Sequence, residues 1–487
     1  MKISLLILVP AASFLLVLTS CADNDDADDN SVVTGPVAVT HVSLVAMTDE
    51  NIAADQTVVV ENGRISAVGA AAEVTIPAEA TVIDGAGAYL MPGLADMHVH
   101  TRDDWLESRW PVSPLHLFLA NGVTTIRDFG PNGVDLTYPL EWRDEISKGT
   151  MMGPTLYTSG IQVRYDRGTT LSPQAIVDWN YAQGFDFLKV YSYVSASGFQ
   201  EAMATARQLG MYTAGHITYT VGLEGVVAAG YDEIAHVEEL DWEFVELNRD
   251  TVLAWENWLP YLIGNVLQQA DVAAGFDPVD FQTRYGDRLA AVIGILQSNN
   301  IPLSTTLIVD DLIVEKLFNS GTFLSRPELI YLPQDYLAAF NQGVEKHQMQ
   351  FQGIEALATY KYGLDKLLLT ALHQAGIPLF LATDAGTGTM GIVPGFSIHD
   401  ELRLLVENGF TPYEAIAAGT VVASEAVEAM TGEDEFGTIE VGKRADLILV
   451  NENPLEDVAH IKDHRGVMAA GSWYSEALLE EMITVAD

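Results

Sequence analysis

The stretch Leu94-Ala-Asp-Met-His-Val-His100 organises the fold of this 487-residue chain. Its apolar start is typical of a short buried strand, and two histidines one residue apart stand at its end. Side chains at positions i and i+2 of a strand point the same way, so His98 and His100 share one face. Two neutral imidazoles aimed at one point form half of a site for a divalent transition metal. Two unrelated histidines on a solvated strand are the alternative that the remaining sequence has to exclude.

Apolar segments alternate with amphipathic segments from Leu94 onward. The amphipathic segments include residues 197–209 and 220–229, whose spacing is typical of surface helices. Strand followed by helix, repeated eight times, predicts an α/β protein with a (β/α)₈ TIM barrel. The eight predicted strands are residues 94–100, 123–129, 155–159, 185–191, 212–217, 233–237, 302–307 and 378–383.

Both ends of the chain carry short β-rich segments that flank the predicted barrel. Residues 36–92 are rich in Val, Ile and Thr and contain the hairpin turn Glu61-Asn-Gly-Arg64. So few strands would leave open edges, and a second strand–turn–strand segment follows at residues 437–450. We therefore expect one small β-sandwich domain built from both ends. The predicted division is signal peptide 1–20, acidic tether 21–35, sandwich 36–92 and 435–475, barrel 93–434 and C-terminal tail 476–487.

The segments after the sixth and seventh predicted strands are far longer than one barrel helix requires. Residues 240–300 and 310–376 are rich in aromatic residues and leucine. We expect them to form extra helices over the barrel mouth, with Trp255, Trp258 and Tyr331 in the wall of the pocket.

Polar residues end several of the apolar segments, where barrel enzymes place their chemistry. A buried histidine or lysine is uncommon without a partner, so a set at equivalent positions indicates a metal site. Its ligands must be nitrogen and oxygen, because Cys21 is the single cysteine of the chain. The candidates are His98, His100, Lys189, His216, His236 and Asp384.

This ordered set resembles the amidohydrolase superfamily, as do Met91-Pro-Gly-Leu-Ala-Asp-Met-His-Val-His100 and the Gly-Lys-Arg-Ala-Asp-Leu of residues 442–447. The segment His399-Asp-Glu-Leu-Arg-Leu-Leu-Val-Glu-Asn-Gly-Phe-Thr-Pro-Tyr-Glu-Ala-Ile416 resembles the branch of imidazolonepropionase-like proteins and Xaa-Pro dipeptidases. The resemblance covers roughly residues 36–475.

The resemblance implies two divalent metal ions, with zinc as the expected metal. It assigns one ion to His98, His100 and Asp384, and the other to His216 and His236. Lys189, modified to N6-carboxylysine, and a hydroxide would bridge the two ions. Asp384 would then serve as general base and acid. Mononuclear members lack this lysine, and the alternative for Lys189 is an ordinary lysine paired with an acid at the barrel mouth.

Other candidates concern the substrate. Tyr191 shares the inward face of Lys189 and either donates to the oxyanion or packs on the lid. Arg164 and Arg167 stand where relatives often have a Gly-Gly-His-Gly-like segment, and either clamps a substrate carboxylate or remains a surface charge. His399 either reaches the site or caps its helix.

The resemblance thus implies a metal-dependent hydrolase of amide-type bonds, similar to a dipeptidase or carboxypeptidase. Its substrate would be a small molecule or short peptide, and a homo-oligomer is compatible with this function. Lactone, lactam or organophosphate hydrolysis on the same site is one alternative. A non-catalytic metal-binding surface lipoprotein is another. The formal charge of −43, from 67 acidic and 24 basic residues, argues against nucleic acid as a partner.

The N-terminus indicates export. Met1-Lys2 precedes an apolar run over residues 3–18, and Leu18-Thr-Ser-Cys21 resembles a bacterial lipobox whose cysteine is acylated. A plain secretory signal is the alternative. Residues 22–31 are acidic and small, typical of a disordered tether. We expect an exported lipoprotein anchored through Cys21, periplasmic and attached to the outer membrane, or at the cell surface.

Replacing Cys21 by alanine should block acylation and release the protein from membranes or stop its processing. Fractionation of cells expressing parent and Cys21→Ala protein, followed by immunoblotting, measures this. Equal membrane association of the two proteins would contradict the anchor.

Overall fold

The computed structural model describes residues 31–107, 109–131, 135–164, 171–251, 253 and 255–485. The predicted signal peptide, Cys21 and Arg167 lie outside these residues. Within the described ranges, no helix combines the length and the apolar character needed to cross a membrane.

Strands of the described residues are mostly short and buried. In chain order they are β1 (Val37–Val45), β2 (Ile52–Glu61), β3 (Arg64–Ala70), β4 (Thr81–Asp84), β5 (Tyr89–Pro92), β6 (Leu94–Val99), β7 (Val123–Asp128), β8 (Thr155–Thr158), β9 (Phe187–Val190), β10 (Tyr212–Gly215), β11 (Glu233–Ile234), β12 (Leu303–Ser304), β13 (Leu379–Phe380), β14 (Leu447–Val450), β15 (His464–Ala469) and β16 (Ser472–Ser475).

Helices separate most of the inner strands. They are α1 (Pro114–Ala120), α2 (Tyr138–Ser147), α3 (Pro173–Gln183), α4 (Ala196–Leu209), α5 (Gly222–Ala228), α6 (Trp255–Gln269), α7 (Pro278–Asn299), α8 (Ile308–Phe318), α9 (Ser320–Leu324), α10 (Gln334–Asn341), α11 (Lys346–Gln350), α12 (Ala356–Gln374), α13 (Ser397–Glu407), α14 (Pro412–Ala418), α15 (Val421–Thr431) and α16 (Glu476–Met482). Short 3₁₀ helices occupy Asp103–Leu106, Val237–Phe244, Val272–Ala274, Pro327–Tyr331 and Val458–Lys462.

Local sequence signals set several element ends. A capping box of Thr411 and Glu414 begins α14. Gly184 and Gly210 end α3 and α4 in the left-handed conformation, which glycine adopts at little cost. The Asn62-Gly63 turn has positive φ at both residues, as the predicted hairpin requires.

Both chain ends contribute to one eight-stranded sheet. Its order is β16-β15-β14-β5-β1-β2-β3, with β4 alongside β1. β5 pairs in parallel with β1 and antiparallel with β14, and so joins the N-terminal strands to the C-terminal ones. The expected partnership of the two ends is therefore present. Because β5 pairs on both edges, hydrogen bonds connect all eight strands as one sheet. The hydrogen-bond pattern therefore does not divide these strands into the two separate sheets of a sandwich.

All eight strands expected for the α/β region are present, and they pair in parallel. β6, β7 and β8 form one sheet, and β9 to β13 form another in sequential order. Isolated parallel bridges link the sheets on both sides, Ser159 to Phe187 and Val99 to Ala385. Every residue of β6, β7, β9 and β10 is buried, as expected for parallel strands covered by helices.

The long segments after β11 and β12 are helical, as expected. α6 and α7 lie between β11 and β12, and five helices, α8 to α12, lie between β12 and β13. Their apolar faces pack on the main core and on a satellite cluster that includes Val272, Ile313 and Phe351. These helices cover the end of the sheet at which the strands finish.

A buried ion pair crosses the interior between β7 and β11. Arg127 donates from Nη1 to Glu233 at 2.7 Å, and both side chains are fully buried. Arg127 also donates to the Met97 carbonyl at 3.0 Å, and the Tyr212 hydroxyl donates to Glu233 at 3.2 Å. The pair thus ties together strands that are distant in sequence.

Replacing Arg127 by methionine should lower the free energy of unfolding by about 3–5 kcal/mol, because the Glu233 carboxylate loses its buried partner. The double variant Arg127→Met/Glu233→Met should recover much of that loss. Arg284 and Asp280, an exposed pair 2.7 Å apart on α7, provide the control, and Arg284→Met should change stability by at most about 1 kcal/mol. Denaturant unfolding followed by circular dichroism measures all three. An equal effect of the two single substitutions would contradict the structural role of the buried pair.

Candidate metal centre

The six side chains expected to bind metal come from the carboxyl ends of parallel strands. Such strands finish at one edge of a sheet, so their terminal side chains converge there. The residues are His98 in β6, His100 just after it, Lys189 in β9, His216 after β10, His236 after β11 and Asp384 after β13. The structure brings all six together in one cluster.

His98, His100 and Asp384 form the closest group. Oδ1 of Asp384 is 3.2 Å from Nε2 of His100 and 3.7 Å from Nε2 of His98. One ligand atom from each residue lies within 4.8 Å of the others. Burial tends to raise the pKa of Asp384, but the hydrogen bond and charge of His100 outweigh it and hold that pKa well below its usual range. Asp384 is therefore a carboxylate, and this trio suits a divalent cation.

His216 and His236 lie beside this trio. Their ring centroids are 5.0 Å apart, and the His236 centroid is 4.3 Å from that of His98. Nδ1 of His216 contacts the carboxylate of Glu239, and Nδ1 of His236 is 2.9 Å from the Thr306 hydroxyl. Both rings therefore leave Nε2 available to a metal. Burial lowers the pKa of His236 to about 3, so the ring is neutral, as ligation requires.

Lys189 is fully buried, and its Nζ has no hydrogen-bond partner among the described residues. The amine lies 4.6 Å from the centroid of the Phe129 ring. Burial lowers the pKa of Lys189 to about 7, against the opposing charges of Asp384 and Glu239. The lowered pKa favours the neutral amine. Both ring nitrogens of His98 also lack hydrogen-bond partners, so the cluster offers buried ligand atoms that the described residues do not satisfy.

Backbone strain coincides with the cluster. His236 and Asp384 have φ values of +67° and +60°, which non-glycine residues seldom adopt. Gly215, just before His216, has φ +143°, and a Cβ there would lie 2.1 Å from the Val190 carbonyl oxygen. These conformations are held by the surrounding strands and aim the side chains at one point.

Two further carboxylates fix the ends of these strands. Asp96 accepts a hydrogen bond from the Thr383 amide at 3.1 Å and so joins β6 to the residue before Asp384. Asp128 accepts from the amide and hydroxyl of Thr101 at 3.0 and 2.8 Å. Sequence reasoning missed both. The rule that polar residues ending apolar strands are candidates would have found Asp128, had it been applied to the second strand.

Glu239 and Thr306 were also missed, although they orient two of the histidines. Glu239 stands three residues after His236 in the sequence. That spacing carries no specific signal, because the intervening segment is a 3₁₀ helix whose course depends on the fold.

Tyr191 lies in the cluster, as its position two residues after Lys189 indicates. Its ring stacks on His216 with centroids 4.4 Å apart, and the side chain lines the central cavity. Burial raises the pKa of Tyr191, so its hydroxyl keeps the proton that a hydrogen-bond donor needs. Its role toward an oxyanion stays a prediction.

The other expected substrate contacts lie outside the cavity lining or outside the described residues. Arg164 is half-buried and does not line the cavity, and Arg167 lies outside the described residues. His399 is buried away from the cavity, near Asn121, Lys462 and His464. His399 takes this position because α13 packs against the 3₁₀ segment Val458–Lys462, and a contact between His399 and a substrate stays a prediction.

A cavity of about 240 Å³ opens over the metal ligands. His100, His216, His236 and Asp384 line its floor, and aromatic and aliphatic side chains of the inserted helices line its walls. Trp258 is among the wall residues, as expected. Tyr331 instead stacks on Phe396 outside the cavity, with centroids 5.1 Å apart. The side chain of Trp255 is not among the side chains that the structure describes.

Known proteins agree with this architecture. The family model described as "Amidohydrolase family" matches residues 319–473. The imidazolonepropionase of Idiomarina loihiensis is 23% identical over 434 residues, which cover 84% of this chain and 90% of that protein. The crystal structure of a putative prolidase from Bifidobacterium longum is 24% identical, with a TM-score of 0.64 over 93% of this chain and 100% of that one. The structure of a Xaa-Pro dipeptidase with methionine bound in its active site is 18% identical, with a TM-score of 0.61 over 91% of this chain and 100% of that one.

These findings confirm the resemblance to amidohydrolases and support an α/β, TIM-barrel-like fold. The match over residues 319–473 and the similarity to the imidazolonepropionase indicate a hydrolase of the amidohydrolase type. The family generally uses divalent metals, and the His98–His100–Asp384 cluster offers ligands of that kind.

Replacing Glu239 by leucine should weaken the affinity for metal about 10- to 100-fold, because His216 loses the carboxylate that orients its ring. Competitive zinc titration against a chelating dye measures this affinity. Glu452, an exposed carboxylate 2.9 Å from His460 and more than 60 residues after Asp384 in the sequence, provides a matched control as Glu452→Leu. Parent-like affinity in Glu239→Leu protein would show that Glu239 does not support a metal ligand.

Proposed function

We propose that the protein is a binuclear metal-dependent hydrolase that cleaves the amide bond of dipeptides or N-acyl amino acids with a free carboxylate. One observation carries the proposal. Lys189 is buried beside four histidines and the Asp384 carboxylate, and its Nζ has no hydrogen-bond partner among the described residues, whereas an ordinary buried lysine would be paired. The likeness to proteins described as a prolidase and a Xaa-Pro dipeptidase supports the substrate class.

The ligand set divides into two groups in this proposal. His98, His100 and Asp384 would hold one ion, and His216 and His236 the other. When bound, two divalent ions, zinc in our proposal, would supply a nucleophile at neutral pH, because coordination lowers the pKa of water from about 15.7 toward about 7.

Lys189 would join the two groups after carboxylation. Its neutral amine nitrogen would form a bond to the carbon of carbon dioxide with loss of one proton, which gives a carbamate. This reaction replaces a cationic side chain by an anionic one with two oxygen ligands. Burial, which favours the neutral amine, supports the step.

Two side chains would handle protons and charge. Asp384 is held as a carboxylate and would take a proton from the attacking water and deliver it to the leaving nitrogen. Tyr191 keeps its phenolic proton and would donate a hydrogen bond to the developing oxyanion.

The domain arrangement belongs to the same proposal. We propose that β6 to β13 close into a (β/α)₈ barrel over residues 93–434, supported by the parallel bridges at Ser159–Phe187 and Val99–Ala385. Residues 36–92 and 435–475 would form the small β-sandwich domain, and residues 476–487 the tail. Residues 1–20 would be a signal peptide and 21–35 a tether, with a lipid on Cys21 holding the protein at the periplasmic or outer surface of a membrane. Self-association is compatible with this arrangement.

Other functions use the same ligands. Lactone, lactam and organophosphate hydrolysis would need no change in the metal centre. A non-catalytic metal-binding lipoprotein is disfavoured by the full set of six ligand candidates together with a covered cavity.

Replacing Lys189 by alanine should lower the metal content from two ions per chain to about one and abolish hydrolysis, because the bridging anion is lost. Elemental analysis of purified protein, beside turnover of a dipeptide and N-acyl amino acid panel, measures both. Acetate or formate added to Lys189→Ala protein should restore part of the activity by filling the gap. Lys366→Ala, a lysine on α12 that stacks on Tyr362 outside the cavity, is the control and should resemble the parent.

Unchanged metal content and near-parent turnover in Lys189→Ala protein would make Lys189 an ordinary lysine and favour a mononuclear, imidazolonepropionase-like enzyme. Metal-loaded parent protein that cleaves lactones or phosphoesters, and no amide, would contradict the proposed substrate class.

A further inference from the structure

The insertion between β12 and β13 carries a lysine and a histidine into the cavity. Lys346 and His347 are the first two residues of α11, and both line the cavity with the metal ligands. Glu345 caps this short helix, because its carboxylate accepts the amides of His347 and Gln348 at 2.9 and 3.0 Å. Lys346 and His347 therefore have defined positions in the insertion between β12 and β13.

His347 is held in one tautomer by Lys316. The Lys316 ammonium is buried and has three acceptors: Glu345 Oε1 at 2.9 Å, the Met390 carbonyl at 2.7 Å and Nδ1 of His347 at 2.5 Å. An ammonium group has three N–H donors and no lone pair, so Nδ1 of His347 must accept. A neutral His347 ring then carries its hydrogen on Nε2. Nε2 has no hydrogen-bond partner among the described residues, although the ring lines the cavity.

Lys346 adds a charge beside this donor. Its Nζ approaches the Met390 sulfur at 3.4 Å and forms no ion pair with any described acid. Lys361, the other lysine of the cavity, is in contrast neutralised by Glu238, Asp310 and Asp365 at 2.6 to 2.9 Å. The Lys346 ammonium can therefore form an ion pair with an anion bound in the cavity.

One charged acid of the cavity disfavours an anion beside it. Glu238 lines the cavity, and although burial tends to raise its pKa, the charge of Lys361 outweighs burial and lowers it, so Glu238 is a carboxylate that would repel an anion. Arg164, the expected clamp, does not line the cavity. Met390 contacts Lys316 through its carbonyl and Lys346 through its sulfur. Because Met390 follows Asp384 by six residues, these two lysines contact the loop that leaves the metal centre.

We propose that Lys346 and the Nε2–H of His347 bind the free carboxylate of the substrate, with Lys316 and Glu345 as positioning residues for His347. This inference rests on the proposed amide hydrolysis and names the residues that select acids over amides. Lys346 contributes charge, and His347 contributes a directed hydrogen bond.

The test compares substrates with and without the carboxylate. The dipeptide that the metal-loaded parent cleaves fastest, and the same dipeptide as its C-terminal amide, are assayed with parent, Lys346→Gln, His347→Gln and the control Lys366→Gln. The parent should favour the acid. Each cavity variant should raise KM for the acid about 10- to 100-fold with kcat little changed, and should leave the amide nearly unaffected.

Binding of L-proline and L-prolinamide, measured by isothermal titration calorimetry on metal-loaded protein, gives a second readout. Proline should bind more tightly than prolinamide, and the Lys346→Gln and His347→Gln variants should remove the difference. Equal handling of acid and amide by the parent, or equal losses on both in the variants, would overturn the subsite while leaving amide hydrolysis intact. Absence of any amide cleavage would instead overturn the proposed function, and the calorimetry would then decide on the subsite alone.

The positioning role has its own signature. Nitrogen-15 resonances of the His347 ring, assigned by their loss in His347→Gln protein, should show hydrogen on Nε2 in the parent. Lys316→Met should release this preference. An Nδ1–H ring in the parent would contradict the arrangement, even if the Lys316 variant failed to fold.

Discussion

Four imidazoles, an amine and a carboxylate lie together where the parallel strands end, and the balance of their charges constrains the surrounding structure. His98, Lys189, His216 and His236 are buried, whereas His100 and Asp384 are partly exposed. Burial lowers the pKa values of His98, His216, His236 and Lys189, which reduces the cost of burying several cations side by side. Glu239 and Thr306 orient the rings from behind, and the strained backbone at His236 and Asp384 is held by the strands on each side. Divalent ions, which bind such a donor set well, would supply the charge that the side chains lack.

The strand ends and the inserted helices provide different parts of the site. The strand ends provide the metal ligands, whereas α6 to α12 provide the walls of the cavity and the cation at Lys346. This division lets the same centre serve different substrates when the insertions change, because loops at this end of a barrel vary without altering the strands. The buried pair of Arg127 and Glu233 lies below the ligands and keeps distant strands in register.

Much of this arrangement could be predicted from the sequence. The alternation of apolar and amphipathic segments located all eight inner strands, and the His98–His100 spacing placed two ligands on one face, because periodicity is a local property. Contacts between distant segments could not be predicted in this way. The Glu239 support of His216, the position of His399 and the approach of Lys346 to the cavity depend on how the 3₁₀ helix and the inserted helices pack. For the same reason, Arg164 and Arg167 were chosen as the carboxylate clamp from their position in the chain, and Lys346 on α11 was not predicted.

The central claim is that six side chains from these strand ends hold two ions bridged by a modified lysine. Anomalous X-ray diffraction at the zinc edge, from crystals of the protein reconstituted with zinc and bicarbonate, tests it most directly. We predict two anomalous peaks about 3.5–4 Å apart. One peak should lie by His98, His100 and Asp384, the other by His216 and His236, with electron density for a carboxylate on Lys189 between them. A single peak beside an unmodified Lys189, or no peak at these residues, would contradict it.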